Sequence, residues 1–180
     1  AVGDVAAGVR STSHWNQDLD NPANPFAGHS FVFVPYCTGD VHLGNNVQQY
    51  TPELTINHVG MVNGMAAVDH LAAAFPDAAE VVVVGESAGA VASPLYGGII
   101  SDILPDARIT VFADGSGGYP DAAPINGLIN MLWGSFAARP DWEVNDDLAS
   151  GSWSLPGLWV QAGTHDPGIR MSRFDYAYDA

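Results

Sequence analysis

One cysteine, five basic side chains and no apolar run of membrane length set the first limits on this 180-residue chain. Cys37 has no second cysteine to pair with, so no disulfide closes within the chain, a usage that favours a reducing compartment. No stretch approaches the roughly 18 consecutive apolar residues a membrane-spanning helix needs. Lys and Arg total 5 against 20 Asp and Glu, a formal charge of −15. Such a field repels phosphates and excludes nucleic acid as a natural partner. The chain opens Ala1-Val2-Gly3 with no initiator Met and no basic-then-apolar leader, so no targeting segment is legible.

What is present suits a globular domain. Hydrophobic residues make up 47% and charged residues 14%, and the length fits a single domain over 1–180 with one core. Residues 1–30 are polar and turn-rich. Phe31-Val32-Phe33-Val34 reads as a short buried strand stopped by Pro35, and 36–55 as a loop. Met61, Met65, Val68, Ala72 and Phe75 recur at three- and four-residue steps, which predicts a helix over 56–75 with these side chains on its inner face. Val81-Val82-Val83-Val84 has no polar alternation, as expected of a strand covered on both faces. A small-residue helix follows, with a kink or early break expected at Pro94. A strand at 108–113, a helix at 125–137, an irregular stretch at 138–156 carrying Trp142 and Trp153, and a last strand at 158–162 complete the order. Residues 115–156 read as a lid or cap-like excursion. Strands alternating with helices predict an α/β class with a doubly wound, mostly parallel sheet.

The chemistry lies at Gly85-Glu86-Ser87-Ala88-Gly89. The G-x-S-x-G pattern alone is weak, but here a valine strand precedes it and a helix follows. That context raises a serine hydroxyl above the sheet on a sharp turn, with glycines removing Cβ atoms that would clash. Ser87 is then a candidate nucleophile, and the N–H of Ala88 a candidate oxyanion donor. A helix-capping serine is the structural alternative. A nucleophilic serine needs a base oriented by an acid. Asp114 and Asp166 both stand where predicted strands end, and Asp166 is preferred because Asp114 sits in a Gly-rich turn. The order Ser, acid, His expected for this architecture leaves no histidine after Asp166. His165 points away from its neighbour Asp166 on an extended segment and serves only with Asp114 as acid. His42 is a second weak candidate for the base. Its metal reading with Asp40 lacks further ligands at usable spacing, so no metal is expected there. A dinucleotide site fails because the G-x-G step is missing.

Asn24-Pro25-Phe26, the segment Val34 to His42 (VPYCTGDVH), the segment Gly85 to Ala90 (GESAGA) and the turn Asp114-Gly115-Ser116-Gly117 together resemble the pectin acetylesterase/Notum-type carboxylesterase family, in its bacterial branch. The likeness covers most of residues 20–170. It implies an α/β-hydrolase fold, ester hydrolysis through an acyl-enzyme at Ser87, Asp166 as triad acid, part of the oxyanion hole at Ala88, and no cofactor. It also implies a small acyl ester or acetylated saccharide as substrate and an extracytoplasmic location. The family's Gly-rich oxyanion strand has no counterpart before residue 20, and its histidine is expected beyond Ala180. The chain therefore reads as a partial domain, its sheet incomplete at both ends, inactive by itself, and with the partner of Cys37 outside it. A non-catalytic binding domain that keeps the turn is the competing reading. Neither the acyl group nor the oligomeric state is legible.

Overall fold

In the computed structural model, residues 22–177 are described, and the chain divides into two compact units, 1–33 and 34–180. His14 lies outside the described residues. The described part of the first unit is a turn in which Ala27 N–H donates to Asn24 O and His29 N–H to Phe26 O, 3.0 Å each. Phe31 and Phe33 are exposed and have no ladder partner among the described residues, so the strand expected at 31–34 does not form. An apolar run becomes a strand only when a neighbour accepts and donates its backbone bonds, and no described strand does so.

The second unit is a mixed α/β structure with four helices and a three-stranded parallel sheet. It begins with an antiparallel hairpin, β1 (Asn46–Thr51) and β2 (Leu54–His58), where a loop and the first turn of a helix were expected. Helix α1 (Gly60–Ala74) starts four residues later than the periodicity suggests, yet buries Met61 and Val68 as that periodicity requires. Strand β3 (Glu80–Glu86), helix α2 (Ala88–Ile103) and strand β4 (Arg108–Asp114) follow, then α3 (Ala123–Trp133), two 3₁₀ turns at 143–145 and 150–152, α4 (Gly157–His165) and β5 (Arg170–Phe174). The sheet order is β3-β4-β5, all parallel. Among the described residues β3 is an edge strand, and its valines are half-buried or, at Val84, exposed, rather than covered on both faces.

Two further expectations change. Helix α2 runs through Pro94 without breaking. Pro94 is itself fully buried, and packing of the helix outweighs the one backbone bond the imino acid lacks. The stretch 158–162 is helical, not a strand: Leu158 and Ala162, four apart, are buried, whereas Val160 between them is 66% exposed. Five residues, four of them apolar, fit either period, and the face toward α2 decides. There Gly98 leaves room for the Trp142 ring and for Ala162. The strand that pairs with β4 is the more polar Arg170–Phe174. The core gathers Leu95, Ile99, Val111, Trp142, Trp153 and Leu158 between α2, the sheet and α4.

Candidate active site

The parallel register sets Glu86 opposite Asp114 and Asp114 opposite Phe174. The three strands therefore end level, and the residues that follow them, Ser87, Gly115 and Asp175, share the carboxyl edge of the sheet. Ligand sites of open α/β sheets lie at this edge.

Ser87 joins β3 directly to α2 with φ 51° and ψ −113°. This conformation is costly for a residue with a Cβ, of order 1–3 kcal/mol, and persists only where the surroundings impose it. Here they do. Ser87 N–H donates to Asp114 O at 2.8 Å, and Ser87 O accepts the N–H groups of Ala90 and Val91. Gly85 permits the bend, because a Cβ there would collide with the Gly89 backbone and Ser93 Oγ. Gly89, in contrast, faces open space, so only the first of the two flanking glycines answers a steric demand. Ser87 is exposed and makes no side-chain cap bond, which removes the capping alternative. Ala88 opens α2, so its N–H is one of the amides that no helical carbonyl can reach, at the positive end of the helix dipole.

The other candidates separate by position. Asp114 ends the strand beside the serine's own. Asp166 does not end a strand: it caps α4, ahead of β5, and its Oδ1 accepts Gly168 N–H at 2.8 Å in an Asx turn. This puts it at the edge of the sheet opposite Ser87, about one strand length or 20 Å away. The strand that would have carried it to the carboxyl edge is a helix. His165, on the same helix, holds Asp102 Oδ1 at 2.7 Å and stacks on Trp142 with centroids 4.4 Å apart. No described histidine nitrogen hydrogen-bonds to Ser87. His58, expected on a helix, is in β2 and nearly fully buried, with Nδ1 2.9 Å from Thr38 O and Nε2 2.8 Å from the Tyr50 hydroxyl. His70 is exposed on α1.

The loop 36–44 is organised by Asp40, which is completely buried. Its Oδ1 accepts from Thr38 Oγ1 at 2.6 Å and His42 N–H at 3.1 Å, and its Oδ2 from Gly60 N–H at 2.7 Å. These bonds hold Val41 and His42 at positive φ, 46° and 62°. The carboxylate is a structural pivot, a role that the pattern Asp40-Val41-His42 did not disclose. Burial lowers the pKa of His42, and Asp40 opposes that shift only in part. Cys37 is exposed and unpaired.

A cleft of ≈ 60 Å³ lies at the carboxyl edge beside the first turn of α2, between Val91, Ser116, Tyr119, Trp159 and Arg173. Asp175, not singled out by sequence reasoning, shapes it. Its Oδ1 accepts the N–H groups of Ser116 (2.8 Å) and Gly117 (2.6 Å), and its Oδ2 holds Arg173 Nε at 2.9 Å. A larger depression of ≈ 300 Å³ lies among the loops that precede β3 and β4, at the far edge, where this arrangement places no chemistry. Of the tryptophans, Trp142 and Trp153 are buried in the core and Trp159 lines the cleft.

The pectinacetylesterase family model matches residues 11–137, a span that includes Ser87 and Asp114. No curated protein and no solved structure matches the chain significantly.

Proposed function

This chain belongs to the pectinacetylesterase family, a family of carboxylesterases, and from that membership we propose that it is a serine esterase of α/β-hydrolase type acting on short acyl esters of saccharides. The observation that carries the reading is Ser87, an exposed serine at φ 51° between a parallel strand and the positive end of a helix. In the proposed reaction Ser87 Oγ attacks the acyl carbon, and its proton passes to a histidine. The Ala88 N–H donates to the oxyanion, the alcohol leaves with the proton, and water then releases the acid from the acyl-enzyme. Asp114 is the proposed orienting acid, because it ends the neighbouring strand and because both oxygens of Asp175 are already engaged. His58 and His165 are held by other partners, so the base is a different histidine. Residues 115–156 supply most of the cleft wall and act as the cap over the site. An extracytoplasmic location, the habit of this family, is part of the proposal.

A fluorophosphonate probe tests it. The intact protein is expected to be labelled at Ser87, and Ser87→Ala to lose the label. A protein that takes no label while still binding acylated saccharides supports the second reading, a binding domain. That reading is favoured by the lack of a described imidazole on Ser87.

A further inference from the structure

Arg173 is the one charged side chain in the lining of the cleft, and it is only partly engaged. Its Nε lies 2.9 Å from Asp175 Oδ2, the side chain is 50% exposed, and neither terminal nitrogen has a hydrogen-bond partner among the described residues. The two Nη groups of a guanidinium present parallel donors, a fork that matches the two oxygens of a carboxylate. Arg108 and Arg139 differ. Arg108 gives Nε and Nη2 to Glu80, and Arg139 lies over the Phe136 ring and donates to Phe136 O.

The strand register keeps this guanidinium apart from the carboxylates that end β3 and β4. Arg173 pairs with Ala113 and Ala113 with Gly85, so all three share one face of the sheet. That face is the one α2 covers, because a Cβ at Gly85 would meet Gly89 and Ser93. Glu86 and Asp114, one position further on, belong to the opposite face. Size narrows the ligand. The cleft of ≈ 60 Å³ is well under the roughly 150 Å³ that accepts a six-membered ring. A carboxyl group with one or two carbons enters, whereas a sugar ring stays at the mouth beside the 42% exposed Tyr119. Val91, Leu155 and Trp159 supply apolar wall for the hydrocarbon end.

We propose that the cleft is a carboxylate-binding site in which the Nη pair of Arg173 holds both oxygens of one carboxyl group. The ligand is either the short acid released by ester cleavage or the carboxylate of a uronate in the saccharide. Val91 stands one helical turn after Ser87, and two strand spacings, about 10 Å, separate the ends of β3 and β5. An acid freed at Ser87 and a sugar next to the reacting one both fall within that reach. Carboxylate capture stands on Arg173 and the cleft, and goes beyond the esterase reading without requiring it.

The test is a titration of the intact protein at constant ionic strength, read by NMR from the indole N–H of Trp159, with Trp159→Phe assigning the signal. Acetate and methyl galacturonoside are compared with acetamide and methyl galactoside, which keep the shape and lose the charge. A saturable shift is expected with at least one carboxylate and with neither neutral ligand. Arg173→Gln should weaken that binding at least about tenfold, the loss of a charge-assisted pair of hydrogen bonds. Arg108→Gln removes the same charge at the far edge of the sheet and should change the binding less than about twofold. The Trp142 Nε1–H, held by Asp102, reports that both variants keep the fold. Tighter binding of acetate assigns the released acid, and tighter binding of the uronate assigns the saccharide. Neutral ligands binding as well as carboxylates, no saturation by either carboxylate, or equal losses in the two arginine variants would each overturn the proposal. The first two of these outcomes are read in the parent protein and need no variant. Fluorophosphonate labelling of Ser87 is a separate measurement, so the esterase reading and this site can fail independently.

Discussion

The Nε2 of His165 lies 2.7 Å from Oδ1 of Asp102, fifteen positions along α2 from Ser87. At 1.5 Å per residue that is about 22 Å, beyond any direct proton transfer. The pair also receives Trp142 Nε1, 2.9 Å from Asp102 Oδ2, so it ties α4 and the 138–156 segment to α2. His165→Gln is expected to leave fluorophosphonate labelling of Ser87 unchanged. Because Asp102 is half exposed, the loss of stability in a urea titration should be no more than about 1 kcal/mol.

The two glycines around Ser87 should respond oppositely to alanine. Gly85→Ala drives a Cβ into the Gly89 backbone and Ser93 Oγ, where nothing flexible can yield. A loss of about 3 kcal/mol is expected. Gly89→Ala places its methyl in open space on the first turn of α2 and should be neutral or stabilising by up to about 1 kcal/mol. Equal losses at both positions would mean that the turn is not built as described.

Asp40→Asn replaces one acceptor oxygen by a donor among three donors, Thr38 Oγ1, His42 N–H and Gly60 N–H. Unlike donors can no longer all be satisfied in a site closed to water, so about 3 kcal/mol of stability should be lost. Chemical denaturation reads the loss, and amide exchange should show it first at residues 38–44 and at the start of α1.

The pH dependence follows from His42. Burial lowers its pKa in the folded protein below the value of about 6.5 it has when unfolded. The unfolded chain thus binds the proton more readily, and the contribution of this site, complete above about pH 6.5, is lost as the pH falls through the folded value. His42→Asn tolerates the positive φ and removes the titration. Melting temperature should fall less steeply with acidification in this variant than in the parent, and parallel curves would refute the assignment.

Local rules accounted for much of the site. The valine run and the glycine four residues after its start placed a turn at Ser87, since strand, bend and helix there are consecutive in the chain. The three- and four-residue spacing from Met61 to Phe75 likewise found the buried face of α1. The carboxylate partners were less visible. Asp166 was assigned from a supposed strand at 158–162, and a five-residue stretch carries too little periodicity to distinguish a strand from a helix. Asp175 follows Arg170–Phe174, whose polar residues hide an edge strand.

Sequence alone determined the strained serine turn, the alternation of helices and strands, and the acidity of the surface, because each depends on neighbours in the chain or on composition. Tertiary structure decided which strands lie level, which carboxylates reach the carboxyl edge and which histidines are held away from it. Those outcomes depend on packing between distant segments: Gly98 admitting Trp142, Asp102 holding His165, and Asp175 closing on Ser116. No short window of residues contains both sides of such a contact.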